Sequence, residues 1–335
     1  MVFLPVACQN YKWKLINMRF LCVLLLLVAL PLQAEEKITK EDSKEILSYL
    51  ASDELGGRGT GQEGNRVAAR FIAKKFKEYG LEPIDERVYI QPYPPIIPVD
   101  GEGYFQDFNY SYTVRSGLFR RRTVTVNTSN VVGILRGRTN RCILFGAHFD
   151  HLGIKGGKIY NGADDNASGT TALLELAEAF AVGDDTRAKE QPKYTLIFAA
   201  FSAEEVGLIG SKYHANHPAL PMKNHDLMIN MDMIGRLSGQ NPTLNLQSGN
   251  LSKDVKELVH SLDDNYSFNF NLTPAGWRSD HAHFNSKGVP VLFFHTGSHP
   301  QYHQPTDDEH LINYDGLVEI TKYIFEFTNK FMNSQ

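Results

Sequence analysis

The chain has 335 residues, 42% of them hydrophobic and 21% charged, which provides ample material for a folded core and rules out a disordered or collagen-like chain. A net charge of −4 runs against a nucleic-acid binder, which carries a basic surplus. Three cysteines are too few for a disulfide framework.

The first segment reads as a targeting signal. Residues 20–32, FLCVLLLLVALPL, are almost wholly apolar; Lys12, Lys14 and Arg19 precede them, and no acidic residue occurs before Glu35. The run is short for a bilayer span, which needs about 20 residues. Leu32-Gln33-Ala34 closes it on a small residue. The pattern predicts a secretory signal over residues 1–34, cleaved after Ala34, with an uncleaved membrane anchor as the alternative. Met18 makes the more usual start, so residues 1–17 read as a mis-assigned extension. Cleavage would leave a secreted or periplasmic protein with no stable membrane association. It would remove three basic residues and no acidic one, taking the net charge from −4 to −7, and Cys8 and Cys22 would go with it. Cys142 would then stand alone in the apolar run Cys142-Ile143-Leu144-Phe145, as a core residue and not a nucleophile.

Residues 35–335 read as one catalytic domain. Residues 40–50 predict a short amphipathic helix. Gly56-Gly57-Arg58-Gly59-Thr60-Gly61 predicts a turn: it has neither the preceding strand nor the Lys-Ser/Thr of a phosphate-binding loop. Residues 65–79 carry Val67, Phe71, Ile72 and Phe76 at helical spacing, stopped by Gly80 and Pro83. Residues 88–129 are an irregular and strand-rich excursion. Within it, 92–98 is proline-rich and extended, 104–127 alternates like a hairpin, and Arg120, Arg121 and Arg122 form a solvated face. From Asn130 apolar strand-like runs follow at 131–135, 142–147, 195–201, 227–231, 244–246 and 289–294. Helical segments lie at 169–180, 206–217, 253–262 and 314–331, and the polar stretch 182–193 is a surface loop. The alternation predicts an α/β fold, a twisted, mixed, mostly parallel sheet with helices on both faces.

In open α/β sheets ligands bind beyond the carboxyl ends of the strands. Four of the predicted strands run into metal-ligand residue types: His148-Phe149-Asp150-His151, Ser202-Ala203-Glu204-Glu205, Asp232, and, through a short loop, Tyr302-His303. A fifth element, Gly162-Ala163-Asp164-Asp165-Asn166-Ala167-Ser168-Gly169, opens a helix. Polar clusters of this kind are costly to bury unless paired or metallated. Carboxylates and imidazoles with no thiolate suit divalent zinc, cobalt or manganese. Adjacent Glu204 and Glu205 point different ways, so one can ligate while the other moves protons.

In the motifs GAHFDHLG, YNGADDNASG, SAEEVGLIGS, NMDMIGR, SDHAHF and YHQPTDD, the sequence resembles the secreted co-catalytic dizinc aminopeptidases of metallopeptidase family 28. The segment Leu55–Gly61 and the helix after it fit the same pattern. The resemblance implies a zinc-exopeptidase fold and two Zn²⁺ per chain. His148 and Asp232 would hold one ion, Glu205 and His303 the other, and Asp165 would bridge them. Glu204 would be the general acid and base, Asp150 would orient the His148 imidazole, and Asp307 would support His303. Tyr302 is a candidate for steadying the oxyanion. The resemblance also implies a cis peptide bond at Asp165-Asn166, peptide substrates, and hydrolysis of N-terminal residues. Asp164 reads as a neighbour of the bridge, while His151, His281, His283 and the Ser279-Asp280 pair stay open between structural and site roles. The other histidines read as non-ligands. Two further activities fit the same architecture: a single-zinc glutaminyl cyclase, which needs fewer ligands, and a zinc carboxypeptidase, for which Arg278 and Arg236 are candidate cations. The sequence does not speak to the oligomeric state.

Overall fold

The computed structural model describes residues 38–84, 103–116, 120–182, 191–262 and 265–334. The predicted signal over 1–34, the proline-rich 92–98 and most of the 182–193 loop lie outside the described residues.

Helix α1 (Lys40–Leu50) is capped by Thr39, whose Oγ1 accepts the Asp42 N–H at 3.1 Å, and it buries Ser43, Ile46, Leu47 and Leu50. Helix α2 (Glu63–Glu78) buries Ala68, Ala69, Ile72, Ala73 and Phe76, the inward face of a 3.6-residue period. It stops where Gly80 takes φ 76° and the Leu81 N–H returns to the Phe76 carbonyl at 3.0 Å. After β1 (Glu82–Pro83), β2 (Phe105–Ser116) pairs antiparallel with β3 (Arg120–Leu135), Phe105 opposite Val131 and Ser116 opposite Arg120. The predicted hairpin arm and the strand predicted at 131–135 are therefore one continuous strand.

The remaining elements are β4 (Cys142–His148), a small hairpin of β5 (Gly153–Lys155) and β6 (Lys158–Tyr160), α3 (Gly169–Val182), β7 (Thr195–Phe201), α4 (Ile209–Asn216), β8 (His225–Met231), β9 (Thr243–Gly249), α5 (Lys253–His260), β10 (Asn269–Pro274), α6 (His281–Asn285), β11 (Val291–His295) and α7 (Tyr314–Ser334). The main sheet runs β1-β3-β7-β4-β8-β11-β9-β10, with β2 paired to β3. β7, β4, β8 and β11 are mutually parallel, whereas β3 and β9 run antiparallel to their inner neighbours. The parallel core is covered on both faces. β4 and β7 are buried at every residue, which is why they read as continuous apolar runs and not as alternating ones. A larger apolar layer joins one face of the sheet to α1, α2, α3, α5 and α7. A smaller one packs Ala215 of α4 and Phe284 of α6 against Cys142, Leu144, Ile197, Phe201 and Met228. Burial pushes the Cys142 thiol up to about 12, so it is inert core.

Several boundaries differ from the sequence reading by a few residues, and two of them have a local cause. Helix α4 begins at Ile209 and not at Val206, because Gly207 (φ 115°) and Leu208 (φ 57°) first complete a tight turn whose two N–H groups return to the Glu204 carbonyl at 2.8 and 2.9 Å. β11 begins after Pro290, which lacks the N–H a ladder needs. The β5–β6 hairpin, β10 and α6 are short, and none has an apolar run long enough to be read in advance.

Candidate metal centre

The carboxyl ends of β4, β7 and β8, the loop after β11 and the turn before α3 meet at one point. His148 is the last residue of β4, Glu204 and Glu205 follow β7, Asp232 follows β8, and His303 lies on the loop beyond β11. Asp165 sits in a kinked turn (Ala163–Ser168) that leads into α3. Its peptide bond to Asn166 is cis, as the resemblance implies. The Asn166 amide locks the turn to β8: its Nδ2 donates to the Met231 carbonyl at 3.0 Å, and its Oδ1 accepts from the N–H groups of Gly169 and Met233 at 2.9 and 3.2 Å. Gly162 (φ 56°) starts the same turn, and a Cβ there would lie 2.1 Å from the Asp165 carbonyl oxygen, so only glycine fits. Arg58, Ala203, Met233 and His303, four non-glycine residues at positive φ, all border this region. Such backbone concentrates where function over-determines it.

Asp165 faces two groups of donors with its two oxygens. Oδ1 lies 3.4 Å from His148 Nε2, which in turn is 3.3 Å from Asp232 Oδ1. Oδ2 lies 3.1 Å from His303 Nε2, which is 3.2 Å from Glu205 Oε2. His148, Asp165 and Asp232 form one set whose donor atoms all lie within 4.8 Å of one another, and His151, Asp165 and Glu205 form a second. The five residues predicted as ligands are thus brought together, with Asp165 common to both sets. His151 joins them: its Nδ1 is 2.7 Å from Glu205 Oε1, and its buried Nε2 has no hydrogen-bond partner among the described residues.

The surroundings orient the donors. His148 Nδ1 faces the Asp150 main-chain carbonyl at 3.1 Å, and because a carbonyl only accepts, that nitrogen carries a proton and the ring is fixed with Nε2 toward Asp165 and Asp232. The Asp150 carboxylate itself stands 3.9 Å from Nδ1. It accepts instead from the Glu204 N–H at 3.0 Å and the Thr60 hydroxyl at 2.7 Å. Asp150 therefore orients the imidazole through its main chain, and its side chain holds the Glu204 backbone. Ser279 donates to Asp232 Oδ2 at 2.7 Å and accepts from Asn230 Nδ2 at 2.8 Å. Asp307 does not support His303 as expected. Its Oδ2 accepts the N–H groups of Asp164 and Asp165 at 3.0 and 3.1 Å, and its Oδ1 pairs with Arg236 at 3.1 Å. Asp164 is likewise engaged elsewhere, with His299 at 3.1 Å and the Gly235 N–H at 2.7 Å. Tyr302 is half-exposed and stacks on the His303 ring, centroids 3.9 Å apart. Arg58, Thr60 and Asn166 were missed, because their contacts are made across the fold and leave no local pattern.

Electrostatics divides the acids. Burial alone would raise the Asp165 carboxyl, but hydrogen bonds from His148 and His303 hold it well below the ordinary range. Glu205 is held down against burial by His151 and His303. Glu204 goes the other way: burial and the charges of Asp280, Asp232 and Glu205 push it up to about 10 against the pull of His148. His303 is pushed up to about 10 by its contacts with Asp165 and Glu205. Buried acids drawing protons onto neighbouring imidazoles make a site built for a cation. The donors are nitrogen and oxygen with no sulfur, the set that zinc shares with other borderline divalent ions, and they form two donor groups that share Asp165.

The chain is similar to known proteins in sequence and in fold. The leupeptin-inactivating enzyme 1 of Streptomyces exfoliatus is 35% identical over 161 residues, covering 46% of this chain and 32% of that protein. The chain spans 32% to 56% of the length of the foremost curated relatives it matches. An aminopeptidase from Aneurinibacillus sp. strain AM-1 shares the fold with a TM-score of 0.68 at 17% identity, over 89% of this chain and 95% of that one. A glutaminyl cyclase of Bacteroides thetaiotaomicron, bound to N-acetylhistamine, does so with a TM-score of 0.61 at 17% identity, over 86% and 97%. The family model for peptidase family M28 matches residues 130–328, the stretch that carries His148, Asp165, Glu205, Asp232 and His303, and the chain belongs to that family.

Proposed function

We propose that this protein is a zinc-dependent aminopeptidase that hydrolyses N-terminal residues from peptides. In this reading His148 and Asp232 would hold one zinc, Glu205 and His303 would hold the second, and Asp165 would be shared between them. Bound there, the ions would supply Lewis acidity to the scissile carbonyl and lower the pKa of water. The chain supplies the proton transfers. A Glu204 carboxylate, ionised once bound cations offset the acids around it, would take a proton from the attacking water and return it to the departing amine nitrogen. Asp150 keeps Glu204 in place through its N–H. Tyr302, stacked on His303, is the candidate donor to the developing oxyanion.

The observation that carries this reading is the placement of Asp165, one oxygen toward each donor set. A carboxylate so placed suits two ions better than one, which favours a hydrolase over a single-zinc cyclase. Arg236 is committed to Asp307 and to the Leu311 carbonyl, so it is a poor receptor for a terminal carboxylate, which weakens the carboxypeptidase alternative. The test is to assay the purified protein on aminoacyl chromogenic amides and on their N-acetylated counterparts, before and after chelation and after zinc is restored, with metal content measured in parallel. Cleavage of free-amine substrates only, at two zinc ions per chain, is expected. Cyclisation of N-terminal glutamine at one zinc per chain, or release of C-terminal residues from blocked peptides, would replace the proposal.

A further inference from the structure

The glycine-flanked segment around Arg58 has no part in the mechanism above, yet Arg58 is wholly buried and holds φ 49°. Its guanidinium meets carbonyl oxygens of three separate segments. Nε donates to Phe149 O at 2.8 Å, Nη1 to Asn161 O at 2.7 Å and to Leu50 O, and Nη2 to Gly162 O at 2.9 Å. Phe149 lies between His148 and Asp150, and Asn161-Gly162 leads directly into Asp165. The main chain of the same segment runs beside β4's end: the His151 N–H donates to Arg58 O at 3.3 Å, and Gly59 bridges His151. Within the Asp165 turn itself, Asp307 holds the N–H groups of Asp164 and Asp165. The turn is thus gripped by a cation on its carbonyls and an anion on its amides.

A buried guanidinium is expensive, and burial lowers its pKa to about 10, opposed by the charge of Asp165. A neutral group could fill the space but could not present a rigid planar fork to four acceptors. We propose that Arg58 is a positioning residue for the metal centre: it fixes the end of β4, with His148 and His151, against the turn that carries Asp165, and so sets the relation of the two donor sets. This rests on the two-metal reading above.

Arg58→Lys keeps the charge and loses the fork, and Arg58→Gln loses the charge. For wild type and both variants, the metal-stripped protein is titrated with zinc against a chromophoric chelator. The absorption spectrum of the cobalt-loaded protein and the rise in Tm on zinc addition are recorded alongside. The expected result is zinc affinity about 10–100-fold weaker in the variants, as for other groups that orient ligands, with an altered cobalt spectrum and a smaller zinc-induced rise in Tm. A purely structural role would lower the metal-free and zinc-loaded Tm alike and leave affinity and spectrum at wild-type values, which overturns the proposal. Failure of both variants to fold in saturating zinc also overturns it, because it places Arg58 in the stability of the whole domain. If wild type binds fewer than two ions, the two-metal reading falls first, and that is seen without any variant.

Discussion

Glu204 and Glu205 have the same side chain one position apart, yet their surroundings drive them in opposite directions. Two imidazoles hold Glu205 ionised, while burial and neighbouring acids push Glu204 up to about 10. Titratable pairs separated in this way mark the division of acid and base work. Glu204→Gln should therefore keep both metals and lose about 10²–10⁴-fold in kcat. Glu205→Gln should lose one metal, with partial rescue by added zinc. Measuring kcat beside metal content separates the two, and loss of a metal from Glu204→Gln would invalidate the assignment. Asp307 gives a second case at this scale. Its carboxylate accepts two main-chain N–H groups and pairs with Arg236, whose side chain is 15% exposed. Asp307→Asn strands that cation, a change worth about 3–5 kcal/mol for a buried pair. Chemical denaturation in saturating zinc should show a loss of this size, and a variant within about 1 kcal/mol of wild type would show that the pairing matters little.

Among the elements, α3 is buried along almost its whole length, and it carries Glu175 into the interior against α1. The Ser43 hydroxyl donates to Glu175 Oε1 at 2.6 Å. Burial, with Asp42 and Glu178 nearby, pushes the carboxyl from 4.5 up to about 8 against the pull of the Ser43 hydrogen bond and of Lys322. Between these values the folded state keeps a proton that the unfolded chain releases, so this group makes the fold less stable as pH rises through the window. The slope is up to about 1.4 kcal/mol per pH unit. Glu175→Gln, which still accepts from Ser43, should flatten the dependence and gain most near pH 8. Denaturation midpoints at pH 5.5 and pH 8 decide it, and parallel shifts in both proteins would show that Glu175 is not the source. The sequence shows α3 as a helix, because its apolar residues are dense and a turn precedes it, but nothing local reveals that Glu175 faces inward. For the same reason α4 starts three residues later than the sequence predicts: its start is set by the left-handed turn at Leu208 and not by helix propensity. β10, NFNLTP, pairs parallel with β9 at the sheet's end, where no apolar run is demanded.

At the scale of the molecule, the parallel strands end together, and that geometry made the donor residues legible from sequence. His148, Glu205 and Asp232 stand where apolar runs stop, and Asp165 and His303 lie in motifs that belong with them. The groups that hold the donors were legible only in part: Asp307 and Ser279 stand out as candidates, but their partners do not, and Arg58 leaves no signal, because all three act across segments far apart in the chain. The same convergence predicts how the protein responds to losing its metals. Ions held as proposed would tie β4, β7, β8, the loop after β11 and the turn before α3 into one unit. Binding that is confined to the folded state adds about 2.7 kcal/mol per site at a free zinc concentration 100 times Kd. Two sites then contribute about 5 kcal/mol, a large fraction of the 5–15 kcal/mol typical of a folded domain. For a chain of this size, 1 kcal/mol moves Tm by about 1.5 °C, so complete chelation should lower Tm by about 7–8 °C, and zinc should restore it. Calorimetry of stripped and reloaded protein at fixed pH gives the answer. A Tm that is the same with and without metal would mean that the donors are already locked by their protein contacts, and that the centre contributes to chemistry and not to the fold.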